Sequence, residues 1–165
     1  MSEIGANEIE VKAEVQDVAD WFLLKEHMSD KKIQKLCYYA EAWSLAKLDQ
    51  SIAVDSDFEA WVHGPVNRKL YDKFKQFGWK KLKINEEDLS MVKERLSKVF
   101  TEEQNDLLSA VWDTYGEFSA DELETLTHRE KPWLEKRKGL GKFDNCNKII
   151  DKQTMKEYYQ SIAIE

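Results

Sequence analysis

Along most of this chain apolar residues recur at every third and fourth position, the spacing that lines one face of an α-helix. Val15, Val18, Ala19, Phe22 and Leu23 form the first stripe, which runs out around Glu26 to Met28. Ser29 or Asp30 is placed to cap the next helix, in which Ile33, Leu36, Cys37, Ala40, Trp43 and Leu48 extend a stripe from Lys31 to Leu48. Tyr38, Tyr39 and Trp43 make that helix aromatic, and aromatics at helical spacing are core more often than pocket.

The period then changes. Ile52-Ala53-Val54 is short and β-branched, and in Phe58 to His63 an apolar Phe58, Ala60 and Val62 alternate with Glu59, Trp61 and His63. The two runs predict a small hairpin, too slight to stand without helices leaning on it. Gly64 supplies the φ of the turn that follows, and Pro65 suits the first position of a helix, where its missing N–H costs nothing. The helix predicted from Pro65 to Phe77 turns Val66, Leu70, Tyr71, Phe74 and Phe77 inward and stops at Gly78. Trp61 and His63 are thereby presented at a strand-turn-helix corner.

Trp79 to Ile84 reads as a connector with strand character, and Asn85 caps a segment carrying Leu89, Val92, Leu96 and Val99. Thr101-Glu102-Glu103-Gln104 and Ser119-Ala120-Asp121-Glu122 have the spacing of capping boxes and open two further helices, the first closed by Gly116. The second breaks over Thr127 to Trp133, because a residue before proline is pushed out of the α region. Pro132 then starts another turn, anchored by Trp133. Gly139-Leu140-Gly141 and Asp144-Asn145-Cys146-Asn147 mark a flexible loop, and Asp151 opens a last helix with Met155, Tyr158, Tyr159 and Ile162 inward. Residues 1–14 are polar and without period, a frayed lead to a domain of residues 15–165. The whole predicts a mainly α, single compact domain of about six or seven helices with one small β-hairpin.

A chain of 165 residues can bury a core without disulfides or metals. Cys37 and Cys146 have neither a metal-ligand spacing nor a disulfide framework, which points to a reducing compartment. No apolar run is long enough for a signal peptide or a membrane span, so the expected location is cytoplasmic. The net charge of −7 is unevenly spread. Arg68 to Lys83 carries Arg68, Lys69, Lys73, Lys75, Lys80, Lys81 and Lys83 against Asp72 alone, whereas Thr101 to Glu124 is acidic with no lysine or arginine. Such polarity can steer a charged partner.

Candidate chemistry is sparse. His63, His128, Glu59 and Glu130 are the best convergent polar groups, and a small hydrolytic enzyme using His63 and His128 is one reading. However, the chain has no phosphate-binding glycine loop, no His-Glu-x-x-His helix and no glycine-framed serine. Two histidines without a third ligand make a weak zinc site, so no metal or cofactor is expected. Both sit beside turns, at Gly64-Pro65 and Pro132-Trp133, where hydrogen bonding to a turn carbonyl is the commoner role. A nucleic-acid binder would use Arg68 to Lys83 with Phe77 and Trp79 for stacking, against an acidic total.

Several ordered pieces together resemble one family. These are Val18-Ala19-Asp20-Trp21-Phe22-Leu23, Lys35-Leu36-Cys37-Tyr38-Tyr39-Ala40-Glu41-Ala42-Trp43, Phe58-Glu59-Ala60-Trp61-Val62-His63-Gly64-Pro65-Val66, Val111-Trp112-Asp113-Thr114-Tyr115-Gly116, Ser119 to Leu123, Leu126 to Trp133, and Tyr158-Tyr159. In order and spacing they are similar to the Panacea domain of SocA-like, phage-associated antitoxins, with coverage from about Val15 to Tyr159. The resemblance implies a cytoplasmic antitoxin that blocks a separately encoded toxin. It does so either by masking the toxin directly or as an adaptor handing it to a ClpXP-type protease; a self-repressing, DNA-binding role is a further implication. Cys37 and His63 gain no functional support from the resemblance. Trp61, His63 and Arg68 are the candidate toxin-binding residues, and Gly64, Pro65, His128, Pro132 and Trp133 the residues that shape the corner. The competing reading of Trp61 and Pro65 is that they merely pack the hairpin onto the helices.

Overall fold

The longest predicted stripe becomes a helix with no solvent face over its middle. The computed structural model describes residues 11–163, in the order α1 (Val15–Leu23), α2 (Asp30–Leu48), β1 (Glu59–Trp61), β2 (Gly64–Val66), α3 (Arg68–Phe74), α4 (Leu89–Val99), α5 (Glu102–Tyr115), α6 (Ala120–Thr127), α7 (Lys131–Lys136) and α8 (Lys152–Ile162). Single 3-10 turns lie at Lys75–Phe77 and Glu86–Asp88. The architecture is mainly α with one small hairpin, as the spacing predicts. α2 is the axis: α1, α5, α6, α8 and β2 all pack on it, and every residue from 33 to 42 is buried.

A helix buried all round carries its polar residues inside, and each must find a partner there. Gln34 exchanges hydrogen bonds with the backbone of Asn67, 3.1 Å to its carbonyl and 2.8 Å from its N–H. Lys35 donates to the Pro65 carbonyl at 3.1 Å. Glu41, fully buried, accepts from Ser51 Oγ, Ser56 Oγ, the Ile52 N–H and Lys152 Nζ, all within 2.9 Å. Polar residues of the central helix therefore pin the hairpin, the 50–56 loop and α8. The aromatic core follows expectation. Tyr39 stacks on Tyr115 with centroids 4.0 Å apart, and Tyr39 and Tyr159 both donate to buried Glu130, at 2.8 and 2.6 Å.

The caps at Ser29, Thr101, Ser119 and Asp151 form as read from the sequence. Of the predicted lead, residues 1–10 lie outside the described residues, while Ala13 is buried and the Glu14 N–H is taken by Asp17 at 2.8 Å. Asp17 in turn receives Arg95 in two bonds, 2.6 and 2.9 Å, tying α1 to α4. Phe77 and Ile162, expected inward, are 42 % exposed, because the chain leaves helical geometry after Phe74 and α8 overruns the core.

The hairpin itself is corrected. Ile52-Ala53-Val54 is not a strand, since those residues turn around the Glu41 carboxylate and leave Val54 65 % exposed. The partner of β1 is β2, in the register Glu59↔Val66, Ala60↔Pro65 and Trp61↔Gly64. Pro65 is thus a strand residue rather than a helix start, tolerated where β2 is an edge strand and needs no donor. Helix α3 begins three residues later, capped by Asn67, whose Oδ1 accepts from the Leu70 N–H at 3.0 Å.

Candidate partner-binding site

Val62 and His63 alone join the two strands, a loop length that demands unusual backbone at its edge. Gly64 meets the demand with φ +103, and a Cβ there would also lie 2.6 Å from Lys35 Cε, so two separate constraints select glycine. Glu59, Trp61 and Val66 share the outward face of the hairpin because directly opposed residues of antiparallel strands point the same way. Arg68 lies over the Trp61 ring, its guanidinium carbon 4.9 Å from the centroid. Both side chains are held by one carboxylate oxygen: Glu59 Oε1 accepts from Trp61 Nε1 at 2.7 Å and from Arg68 Nη2 at 3.1 Å. Tyr71 meets Trp61 edge-on at 4.8 Å.

A second wall comes from the segment expected to be a flexible loop. Arg137, buried at the end of α7, donates to the carbonyls of Ala60 (2.9 Å), Gly141 (3.3 Å), Lys142 (3.4 Å) and Asp144 (2.6 Å). Trp133 Nε1 donates to the Trp61 carbonyl at 2.8 Å. Further on, the Ala60 N–H reaches the Lys148 carbonyl at 2.9 Å and the Ile150 N–H reaches the Phe58 carbonyl at 2.7 Å, laying residues 148–150 against β1 as an isolated antiparallel bridge between Glu59 and Ile149. Between the two walls lies a cleft of about 630 Å³ lined by Trp61, Val62, His63, Val66, Arg68, Phe143, Asn145, Cys146 and Asn147. That volume falls within the range of ligand clefts.

Beneath the corner is a charged cluster. His63 Nδ1 is 3.0 Å from Glu124 Oε2, so its partner is a carboxylate on α6 and not the expected turn carbonyl. Burial pushes the Glu124 carboxyl up, but Lys31 and His63 outweigh it and hold the group below its ordinary value. His128 stacks on Trp133 at 3.9 Å and has the Val62 backbone as a hydrogen-bond partner, the turn role expected of it; burial pushes its pKa down. Pro132 is buried in the first turn of α7.

Lys35 is the unusual member. Fully enclosed, with the Pro65 carbonyl as its hydrogen-bond acceptor, it is pushed by burial from the ordinary 10.5 down to about 7. The unfolded chain holds that proton up to 10.5 and the folded chain only to about 7, so between these values stability rises with pH. Burial also raises Asp30 to about 6, raises Glu130, lowers His128 and pushes Cys37 and the core tyrosines up. Urea unfolding is therefore expected to show the protein gaining about 2 kcal/mol between pH 7 and pH 9, with a Lys35→Met variant losing most of that slope. An equal slope in both proteins would refute the assignment.

The structure brings Trp61, His63 and Arg68 to one cleft and sets Gly64, Pro65, His128 and Trp133 behind it. Glu130, weighed as a catalytic group, is instead spent on the two tyrosines. Among the described residues no group of three or more His, Cys, Asp or Glu side chains is placed to hold a metal ion, and no helix is long and apolar enough to cross a membrane. Trp79 of the basic stretch, next to Lys80 and Lys81 in sequence, is 91 % exposed and does not line the cleft. Sequence reasoning missed Arg137, Asn67 and the 143–149 wall. Gly139 and Gly141, just before that wall, signal mobility, and no local pattern reveals a buried arginine collecting carbonyls.

The sequence model of the family described as antitoxin SocA-like, Panacea domain, matches residues 33–134. This chain belongs to the SocA-like antitoxins of the Panacea domain. The match spans α2 to the start of α7 and so includes the hairpin, Arg68, His128 and Trp133, whereas the Panacea chain's second wall, residues 143–149, lies beyond it. Neither a curated protein nor a solved structure matches the chain. Membership in the Panacea family supports a role in a toxin–antitoxin system, a toxin as partner in general terms, and a non-enzymatic way of working.

Proposed function

We propose that this Panacea protein neutralises a co-encoded toxin by binding it directly, through the surface bordered by Trp61, His63 and Arg68. The observation that carries the reading is the cleft itself: an aromatic ring on the hairpin and a guanidinium at the start of α3, fixed by a shared carboxylate, face it in a chain whose family is antitoxin-like. Tryptophan and arginine dominate binding energy when a partner desolvates them. Capture at this surface serves either outcome for the toxin, masking or delivery to a ClpXP-type protease, and both begin with the same contact.

The test is co-expression with the neighbouring reading frame whose product is toxic alone. The parent chain is expected to restore growth. A Trp61→Ala chain, folded by circular dichroism, is expected to bind the purified toxin about 30-fold more weakly, the equivalent of about 2 kcal/mol at a hot spot, and to fail in rescue. Undiminished rescue by a folded Trp61→Ala chain would move the toxin surface elsewhere.

A further inference from the structure

Resting on that reading, we propose that the cleft between the hairpin and residues 143–149 receives an extended, acidic segment of the toxin, with an apolar side chain seated between Trp61 and Phe143.

Three observations converge on this occupant. The first is charge. In a chain of net charge −7, the only permanently charged residue lining the cleft, among the described residues, is a cation, Arg68. Lys142 stands at the rim, its ammonium 5.6 Å from the Phe143 centroid, and has no ion-pair partner among the described residues. The acids close by are already engaged: Glu59 is held by Arg68 and Trp61 Nε1, Glu124 by Lys31 and His63, and Asp144 accepts from the Gly141 N–H at 2.6 Å. A carboxylate entering here meets attraction that most of this acidic surface does not offer.

The second is exposed apolar surface. Phe143 is 76 % and Ile149 52 % exposed, and Ile149, paired opposite Glu59, lies on the same outward face as Trp61 and Val66. The third is backbone. The bonds from Ala60 N–H to Lys148 and from Ile150 N–H to Phe58 flank Ile149, so in an antiparallel pair the N–H and C=O of Ile149 point away from β1. Neither has a hydrogen-bond partner among the described residues. The opposite edge of the sheet is closed: Lys35 takes the Pro65 carbonyl, and Gln34 takes the Asn67 N–H. Among the described residues the Ile149 bridge thus leaves an open backbone N–H and C=O beside the apolar face, and an extended segment can pair there while sending side chains into the cleft.

The experiment titrates synthetic peptides tiling the co-encoded toxin onto the full-length chain, alongside Phe143→Ala, Arg68→Glu and Trp79→Ala variants. Phe143 and Arg68 are exposed, so these changes leave the fold intact. The expected result is one tile that pairs an aliphatic or aromatic residue with Asp or Glu. Its binding should fall at least tenfold in Phe143→Ala and in Arg68→Glu, stay unchanged in Trp79→Ala, and weaken with added salt. Full affinity for the toxin in both cleft variants, loss confined to Trp79→Ala, or a salt-independent tile without carboxylates would each overturn the cleft while leaving toxin neutralisation in place. Failure of the parent chain to neutralise any neighbouring product would overturn the function on which the cleft rests.

Discussion

A Glu41→Ala chain is expected to lose about 3–5 kcal/mol of stability and to melt about 10 °C below the parent. Glu41 is buried to 0 % exposure and collects four donors, two serine hydroxyls, one backbone N–H and the Lys152 ammonium. Removing the carboxylate leaves the Ser51 hydroxyl and the Ile52 N–H without their acceptor, at about 1–3 kcal/mol for each unsatisfied buried group, while Ser56 Oγ keeps the Ala53 carbonyl at 3.0 Å and Lys152 keeps the Ser56 carbonyl at 2.9 Å and Asp57 at 3.3 Å. Glu41→Gln is expected to fall between, since its carbonyl oxygen still accepts while its amide faces donors. The sum is not additive, because water reaching Lys152, the most exposed of the four, offsets part of it. Thermal unfolding followed by far-UV circular dichroism reads the outcome, and a loss under 1 kcal/mol would mean the 50–56 loop is held by something other than this network.

The second large effect is expected at Arg137. Its guanidinium is buried, donates to four backbone carbonyls and lies 5.0 Å from the Trp133 ring centroid. Among the described residues no carboxylate pairs with it, so its role is to gather peptide dipoles and thereby fasten residues 141–144 to β1. Arg137→Met keeps much of the stem and removes every donor. The expected consequence is a loss of about 2–4 kcal/mol together with local opening, read as faster amide exchange over residues 139–149 and faster tryptic cleavage after Lys142. Toxin binding should weaken in parallel although Arg137 does not line the cleft. If exchange in that segment is unchanged, the second wall is not Arg137's doing.

These two residues also mark where reading the sequence stops. Glu41 sits within the quoted run Lys35 to Trp43 and looks like a solvent-facing position of an amphipathic helix, because one stripe of Ile33, Leu36, Cys37 and Ala40 accounts for a single buried face. Only the arrival of α1, α5, α6 and α8 on several sides turns that helix into an axis and its polar residues into pins. Local spacing misplaces the hairpin for a related reason. Pro65 after Gly64 satisfies the local rule for a helix start, yet Gln34 and Lys35, some thirty positions earlier, hold Pro65 and Asn67 in place as an edge strand. Trp61, His63 and Arg68 are neighbours in sequence, whereas Phe143 and Asn145 reach them through Arg137 and the Glu59–Ile149 bridge.

By itself the sequence determined what short-range physics controls: helix spacing, the serine, threonine and aspartate caps, the break at Pro132, the glycine at the hairpin corner and an ordered set of motifs that place the chain in its family. Tertiary structure alone decided which polar groups are buried, which strand pairs with which, and that a glycine-bounded loop becomes one wall of a cleft. The division follows from range. Caps and periodicity involve residues within one or two helical turns of each other, whereas a buried carboxylate, lysine or arginine is kept only because distant backbone groups meet it with complementary hydrogen bonds.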